Sequence, residues 1–125
     1  MSYPAKTLFG FGCYRLVLGS MLVLFPNALL DLFRMGTTIE VWVRAAGMLV
    51  LFLGAYDVLA GLSELQAFIR WSVPVRASAI LFFGTFVLLG YAPAVLLLLG
   101  VIDLAGAAWT AVALRRAYLV AHAGA

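Results

Sequence analysis

Two aspartates stand in runs that are otherwise hydrocarbon: Asp57 in "LGAYDVLAG" (Leu53 to Gly61) and Asp103 in "LGVIDLAGA" (Leu99 to Ala107). A third charge, Arg15, lies in "GCYRLVLG" (Gly12 to Gly19). A carboxylate in such a setting can carry a proton across a barrier, anchor a polar ligand, or pair with a cation and lock helices together. Each role has to repay the cost of holding charge in an apolar medium, so such residues face a bundle interior, a partner or a water-filled cavity. The spacing favours the locking role. Gly54 and Gly61 lie three before and four after Asp57, which puts all three on one helix face. Gly47 and Arg44 extend that stripe. Gly100, Asp103 and Ala107 repeat the pattern, and Gly12, Arg15 and Gly19 repeat it with a cation in place of the acid. Small residues let helix backbones approach closely in a membrane, so a charge flanked by them points at another helix. The expected buried polar seam is therefore Arg15, Asp57, Asp103 and Arg44. The expected helix contacts are Gly12, Gly19, Gly47, Gly54, Gly61, Gly100 and Ala107.

Depth sets the pairing within this seam. Arg15 lies roughly 12 Å into its span and Asp57 roughly 8 Å from the same end of an antiparallel one, at 1.5 Å per residue. The long arginine stem covers the difference. We expect an Arg15–Asp57 pair that Asp103 joins directly or through water. Asp103, nearer the midplane, is the better candidate for a titrating group.

These charges need four apolar helices to position them. The segments run over about 7–25, 41–62, 75–91 and 93–114, within a single integral membrane domain covering 1–125. The expected fold is all-α: a four-helix transmembrane bundle with short interfacial helices after spans one and two. The first of these lies in "PNALLDLFRMG", where Leu29, Leu30, Leu32 and Phe33 sit beside Asn27, Asp31 and Arg34 and Gly36 closes the turn. The second lies in "SELQAFIRWSVP", with Ser63 as a cap and Trp71 at headgroup level. "GYAPA" is a tight connection with Pro93 at a helix start. The recurrence of "LGxxD" and of an arginine opening each hairpin ("YRLVLG", "VRASAI") suggests two parallel-repeated helical hairpins.

Composition agrees with a bilayer. Of 125 residues, 66% are hydrophobic and only 10% charged, with mean hydropathy +1.15. A soluble domain of this size has too little interior for that much apolar surface. The net charge of +3 reads as topology and attraction to anionic lipid, and no basic run with interleaved aromatics points to nucleic acid. Lys6, Arg70, Arg76, Arg115 and Arg116 fall on one side and Arg34 and Arg44 on the other. The positive-inside rule then places both termini, with His122, in the cytoplasm. The N-terminus lacks a basic start followed by a small-residue cleavage site and reads as retained. Cys13, the one cysteine, allows no internal disulfide and is expected as a small core residue. Trp42 and Trp71 read as interfacial anchors.

From "YRLVLGSMLVLFPNALL" to "LLGVIDLAGAAWTAVALRR" the chain resembles the small, mostly uncharacterised four-span bacterial inner-membrane proteins, loosely including the DoxX-like group. The resemblance rests on span number, the arginine-led first helix and the small-residue seam, and it implies an inner-membrane location. Small multidrug-resistance transporters have a similar length but rely on a glutamate in the first span, where this chain has Arg15. No cluster of nucleophiles, metal ligands or paired acids suggests catalysis, so the chain is expected to be non-enzymatic, without cofactor or metal. Three roles fit: a structural or helper subunit of a larger membrane complex or self-assembly, a binder of lipid or hydrophobic small molecules between helices, and a small oligomeric transporter or channel using Asp103.

Overall fold

The computed structural model describes residues 1–36 and 41–123 and is all-α over that range. Its helices are α1 (Tyr3–Leu24), α2 (Pro26–Leu32), α3 (Val41–Leu62), α4 (Gln66–Ala77), α5 (Ala79–Leu88) and α6 (Leu97–His122), with a 3₁₀ turn at Ala94–Leu96 leading into α6. Four segments are long and apolar enough to cross a membrane: Tyr3–Leu24, Val41–Leu62, Gln66–Leu88 and Ala94–His122. The fold class is thus four long apolar helical segments, as in a four-helix transmembrane bundle. A 22-residue helix rises about 33 Å, close to the thickness of a hydrocarbon core. Intrahelical bonds satisfy its backbone, as a bilayer requires. Large apolar side chains on these helices point outward, among them Phe52, Leu59, Leu81 and Val112, as expected where the solvent is lipid.

The third segment differs from the sequence expectation. "SELQAFIRWSVP" does form a helix, but the segment long and apolar enough to cross a membrane runs through it, from Gln66 to Leu88. Helix α4 runs through it from Gln66 and passes at Ser78 into α5. Pro74 has no N–H to give to Arg70, but its carbonyl still accepts from Ser78 N at 3.0 Å, so the helix is interrupted and resumes. Nor does Ser63 cap α4, whose N-cap is Leu65. Ser63 instead belongs to the close of α3. There Leu65 N donates to Ala60 O (3.0 Å) and Glu64 N to Gly61 O (3.3 Å), with Glu64 in the left-handed region at φ 53°. Helix α2 closes the same way on Arg34 (φ 54°), with Met35 N donating to Leu30 O at 2.9 Å, so the turn is made before Gly36 is reached. Gly90 (φ 80°) makes the corresponding turn after α5. Pro93 caps the 3₁₀ turn. Helix α6 continues past Arg115 and Arg116 to His122.

The chain forms two compact units, Phe9–Leu59 and Met1–Leu8 with Ala60 onward. In the first, α1 and α3 meet at two glycine crossings. A Cβ on Gly12 would lie 2.9 Å from Gly54 O, and one on Gly54 2.9 Å from Gly12 O and Leu16 N. A Cβ on Gly19 would lie 2.7 Å from Leu51 N and 2.8 Å from Gly47 O, and one on Gly47 3.0 Å from Val23 N. The glycines are seven residues apart on both helices, the repeat that keeps one seam facing its neighbour over two turns. In the second unit α6 packs against α4 and α5, and Ala5, Leu8, Ala60 and Ile69 form a core that Leu114 adjoins. Gly100 lets Ile80 and Phe83 approach α6, with a hypothetical Cβ 2.8 Å from Ile80 Cδ1. Gly61 and Ala107 are buried in this unit.

Candidate functional site

Within Phe9–Leu59, the glycine crossing brings the charges of α1 and α3 into contact. Arg15 Nη1 donates to Asp57 Oδ2 at 2.8 Å. Asp57 is only 2% exposed, and a Cβ on Gly12 would press against its Cβ at 2.9 Å. The small residue on α1 therefore makes the room that the acid on α3 occupies. The Arg15 guanidinium also lies over the Phe11 ring, 4.8 Å from its centroid, a cation–π contact that replaces part of its lost hydration. Charge-assisted pairing of this kind satisfies both partners out of water.

Arg44 needs correction. Expected in the buried seam, it is exposed, and its Nη1 donates to the carbonyl of Val23. That carbonyl is in the last turn of α1, where no intrahelical donor is left for it. Arg44 closes a helix end and extends no polar core. Cys13 is likewise exposed and not in the core, since Gly12 takes the close-packed face of that turn.

The second unit holds a polar cluster that sequence reasoning missed. Arg76, read as a span-end charge, is 2% exposed. Its Nη2 donates to Thr110 Oγ1 at 2.7 Å and to Ser72 Oγ at 3.3 Å, and its Nε donates to Ser72 O at 3.4 Å. Thr110 Oγ1 lies 2.8 Å from Thr7 Oγ1, and Thr7 Oγ1 donates to Pro4 O at 2.7 Å. Each hydroxyl has one proton. Thr7 uses its own on Pro4, so Thr110 is the donor to Thr7, and the bonds run in one direction from Arg76 through Thr110 and Thr7 to Pro4. The chain ties α4 and α6 to the first turns of α1 and ends on a carbonyl that cannot titrate. The available signal was Ser72 four residues before Arg76, which gives the guanidinium an acceptor on its own helix.

Asp103 stands half-buried on α6 of this unit, with Gly100 and Ala107 buried on either side along the helix. Trp109 Nε1 donates to Tyr3 Oη at 3.0 Å. At the turn between α3 and α4, Glu64 accepts from the backbone N and, at 2.7 Å, the hydroxyl of Ser2, and from Gln66 Nε2 at 3.1 Å. The Ser2 backbone and hydroxyl bonds hold its pKa below the ordinary value. Beside this turn, a groove of about 710 Å³ lies between α4 and α6, lined by Ser2, Pro4, Gln66, Arg70, Val73, Pro74, Ala111, Leu114, Ala117 and Tyr118. Among the described residues, no three His, Cys, Asp or Glu side chains are grouped to hold a metal.

Comparison with family models, with curated proteins and with solved structures gives no match for this chain. Chemically, the two clusters donate and accept in fixed directions. Each joins an arginine on one helix to an oxygen on another.

Proposed function

We propose that the protein is a non-enzymatic multi-pass subunit of the bacterial inner membrane, a small scaffold or helper that packs against a larger membrane complex. The observation that carries this reading is the Arg15–Asp57 bond at 2.8 Å across a glycine crossing. Two of the three charges set in apolar helix, Arg15 and Asp57, face each other, an arrangement that suits fixing helix register. The Arg76–Thr110–Thr7 chain supports the same reading, since it too runs from helix to helix. A helper of this kind needs stable helices and outward apolar faces. Helix α5, which has no buried residue of its own, offers such a face in Leu81, Phe82 and Leu88.

The test is cross-linking in native membranes at the natural expression level, followed by separation in mild detergent. The 13.4 kDa chain should run in a discrete larger species with one fixed companion in constant ratio. Recovery as a lone chain after cross-linking would remove the helper role. Flux into proteoliposomes that Asp103→Asn abolishes would install the transporter reading in its place.

A further inference from the structure

The groove between α4 and α6 has a polar end and an apolar end. On α4, Gln66, Arg70, Val73 and Pro74 occupy one stripe, the polar pair at the start of the helix and the apolar pair deeper. On α6, Ala111 and Leu114 face the apolar part, and Tyr118, nearer the helix end, faces the polar part. The void exists because Ala111, Ala117 and Pro74 bring little bulk to the facing surfaces.

Arg70 is the unusual member. Among the described residues its guanidinium makes no hydrogen bond or ion pair, and the acid close in sequence, Glu64, is already engaged by Ser2 and Gln66. Arg70, exposed at the edge of the groove, therefore offers guanidinium donors that no acceptor among the described residues takes. The adjacent Trp71 is 72% exposed, which suits the headgroup level of a bilayer. An occupant must then place an anion at headgroup depth and hydrocarbon beneath it. That is the layout of an anionic phospholipid, and basic pockets between transmembrane helices take such headgroups.

We propose that this groove holds one anionic phospholipid, with its phosphate on Arg70 and the upper part of an acyl chain along Val73, Pro74, Ala111 and Leu114. The inference requires that α4 and α6 lie in a membrane and is independent of whether the chain serves a larger complex. The guanidinium fork matches phosphate oxygens in a bidentate manner, and the small side chains of α6 leave the width the chain needs. A groove of this volume lies within the range of built small-molecule sites.

Native mass spectrometry of the detergent-purified chain, titrated with phosphatidylglycerol or phosphatidylcholine of identical acyl chains, tests the proposal. The wild type should retain one phosphatidylglycerol about tenfold more strongly than phosphatidylcholine. Arg70→Gln should remove that preference, while Arg34→Gln, a cation elsewhere on the surface, should leave it intact. Ala111→Leu, which fills the apolar end, should weaken retention of both lipids and so tests the groove apart from the charge. Equal retention of the two lipids by the wild type would overturn the proposal, as would equal losses in the Arg70 and Arg34 variants. Displacement by millimolar inorganic phosphate would identify a free-anion site instead, and a second copy of the chain filling the groove would appear as a dimer that excludes lipid.

Discussion

Asp57 and Arg15 show how a membrane protein tolerates ionised side chains. Neither could face lipid alone at an acceptable cost, but facing each other at 2.8 Å, with Phe11 over the cation, each supplies what the other lost on leaving water. Loss of one partner leaves the other stranded. Arg15→Ala and Asp57→Ala should each cost about 3–5 kcal/mol of unfolding free energy. The double variant should lose less than the sum, with a coupling of about 1 kcal/mol or more. Reversible unfolding in mixed micelles reads all four corners of the cycle, and strictly additive losses would mean the bond adds nothing. Arg76 reaches a similar end with different chemistry. Its charge is delocalised over a planar fork, so a threonine hydroxyl and a serine on its own helix can take part of what a carboxylate would otherwise accept.

The helices meet where side chains are absent. Lipid does not drive two transmembrane helices together, so their attraction must come from close packing and hydrogen bonds. The two crossings Gly12/Gly54 and Gly19/Gly47 provide the first and make room for the second. Gly54→Ala would place a methyl 2.9 Å from Gly12 O and Leu16 N, both backbone atoms that cannot swing away. The helices would have to part, at a cost of about 1–3 kcal/mol. Gly84→Ala is the matched control. The nearest atom to its added methyl is Leu97 Cδ2 at 4.0 Å, so alanine's helix propensity should make it neutral or stabilising by up to about 1 kcal/mol. The same unfolding assay distinguishes the two, and equal losses would show that the crossing is not tight. The glycine spacing was legible because seven-residue recurrence is a property of the chain alone. The course of the third segment was not. Ser63, Glu64, Gln66 and Arg70 read as a polar connection, and only the pairing of Glu64 with Ser2, 62 positions away, shows how that polarity is absorbed while α4 begins at once. Arg44 misled for a related reason. A stripe on one helix cannot reveal that the nearest unsatisfied group is the carbonyl end of another.

Orientation of the whole chain in the bilayer rests on which cations remain available to lipid and to the insertion machinery. Were the four segments to cross in alternating directions, Lys6, Arg70, Arg76, Arg115 and Arg116 would share one side, and Arg34 and Arg44 the other. Arg76 is enclosed by Ser72 and Thr110 and is 2% exposed in the folded chain, so its charge belongs to the interior and carries little weight at the surface. On that topology the balance becomes four against two, which would favour cytoplasmic termini by a smaller margin. Arg115 and Arg116, both exposed on α6, then supply half of the majority. A fusion of green fluorescent protein to the C-terminus, which fluoresces only in the cytoplasm, reads the outcome. Replacing Arg115 and Arg116 together by Gln leaves two against two and should produce a mixed population with a clear loss of fluorescence per chain. Arg76→Gln should leave orientation unchanged while lowering stability through the broken Thr110 bond. If Arg76→Gln inverted the chain as readily as the double change, its charge would be acting at the surface during insertion, before the polar cluster of α4 and α6 has formed around it.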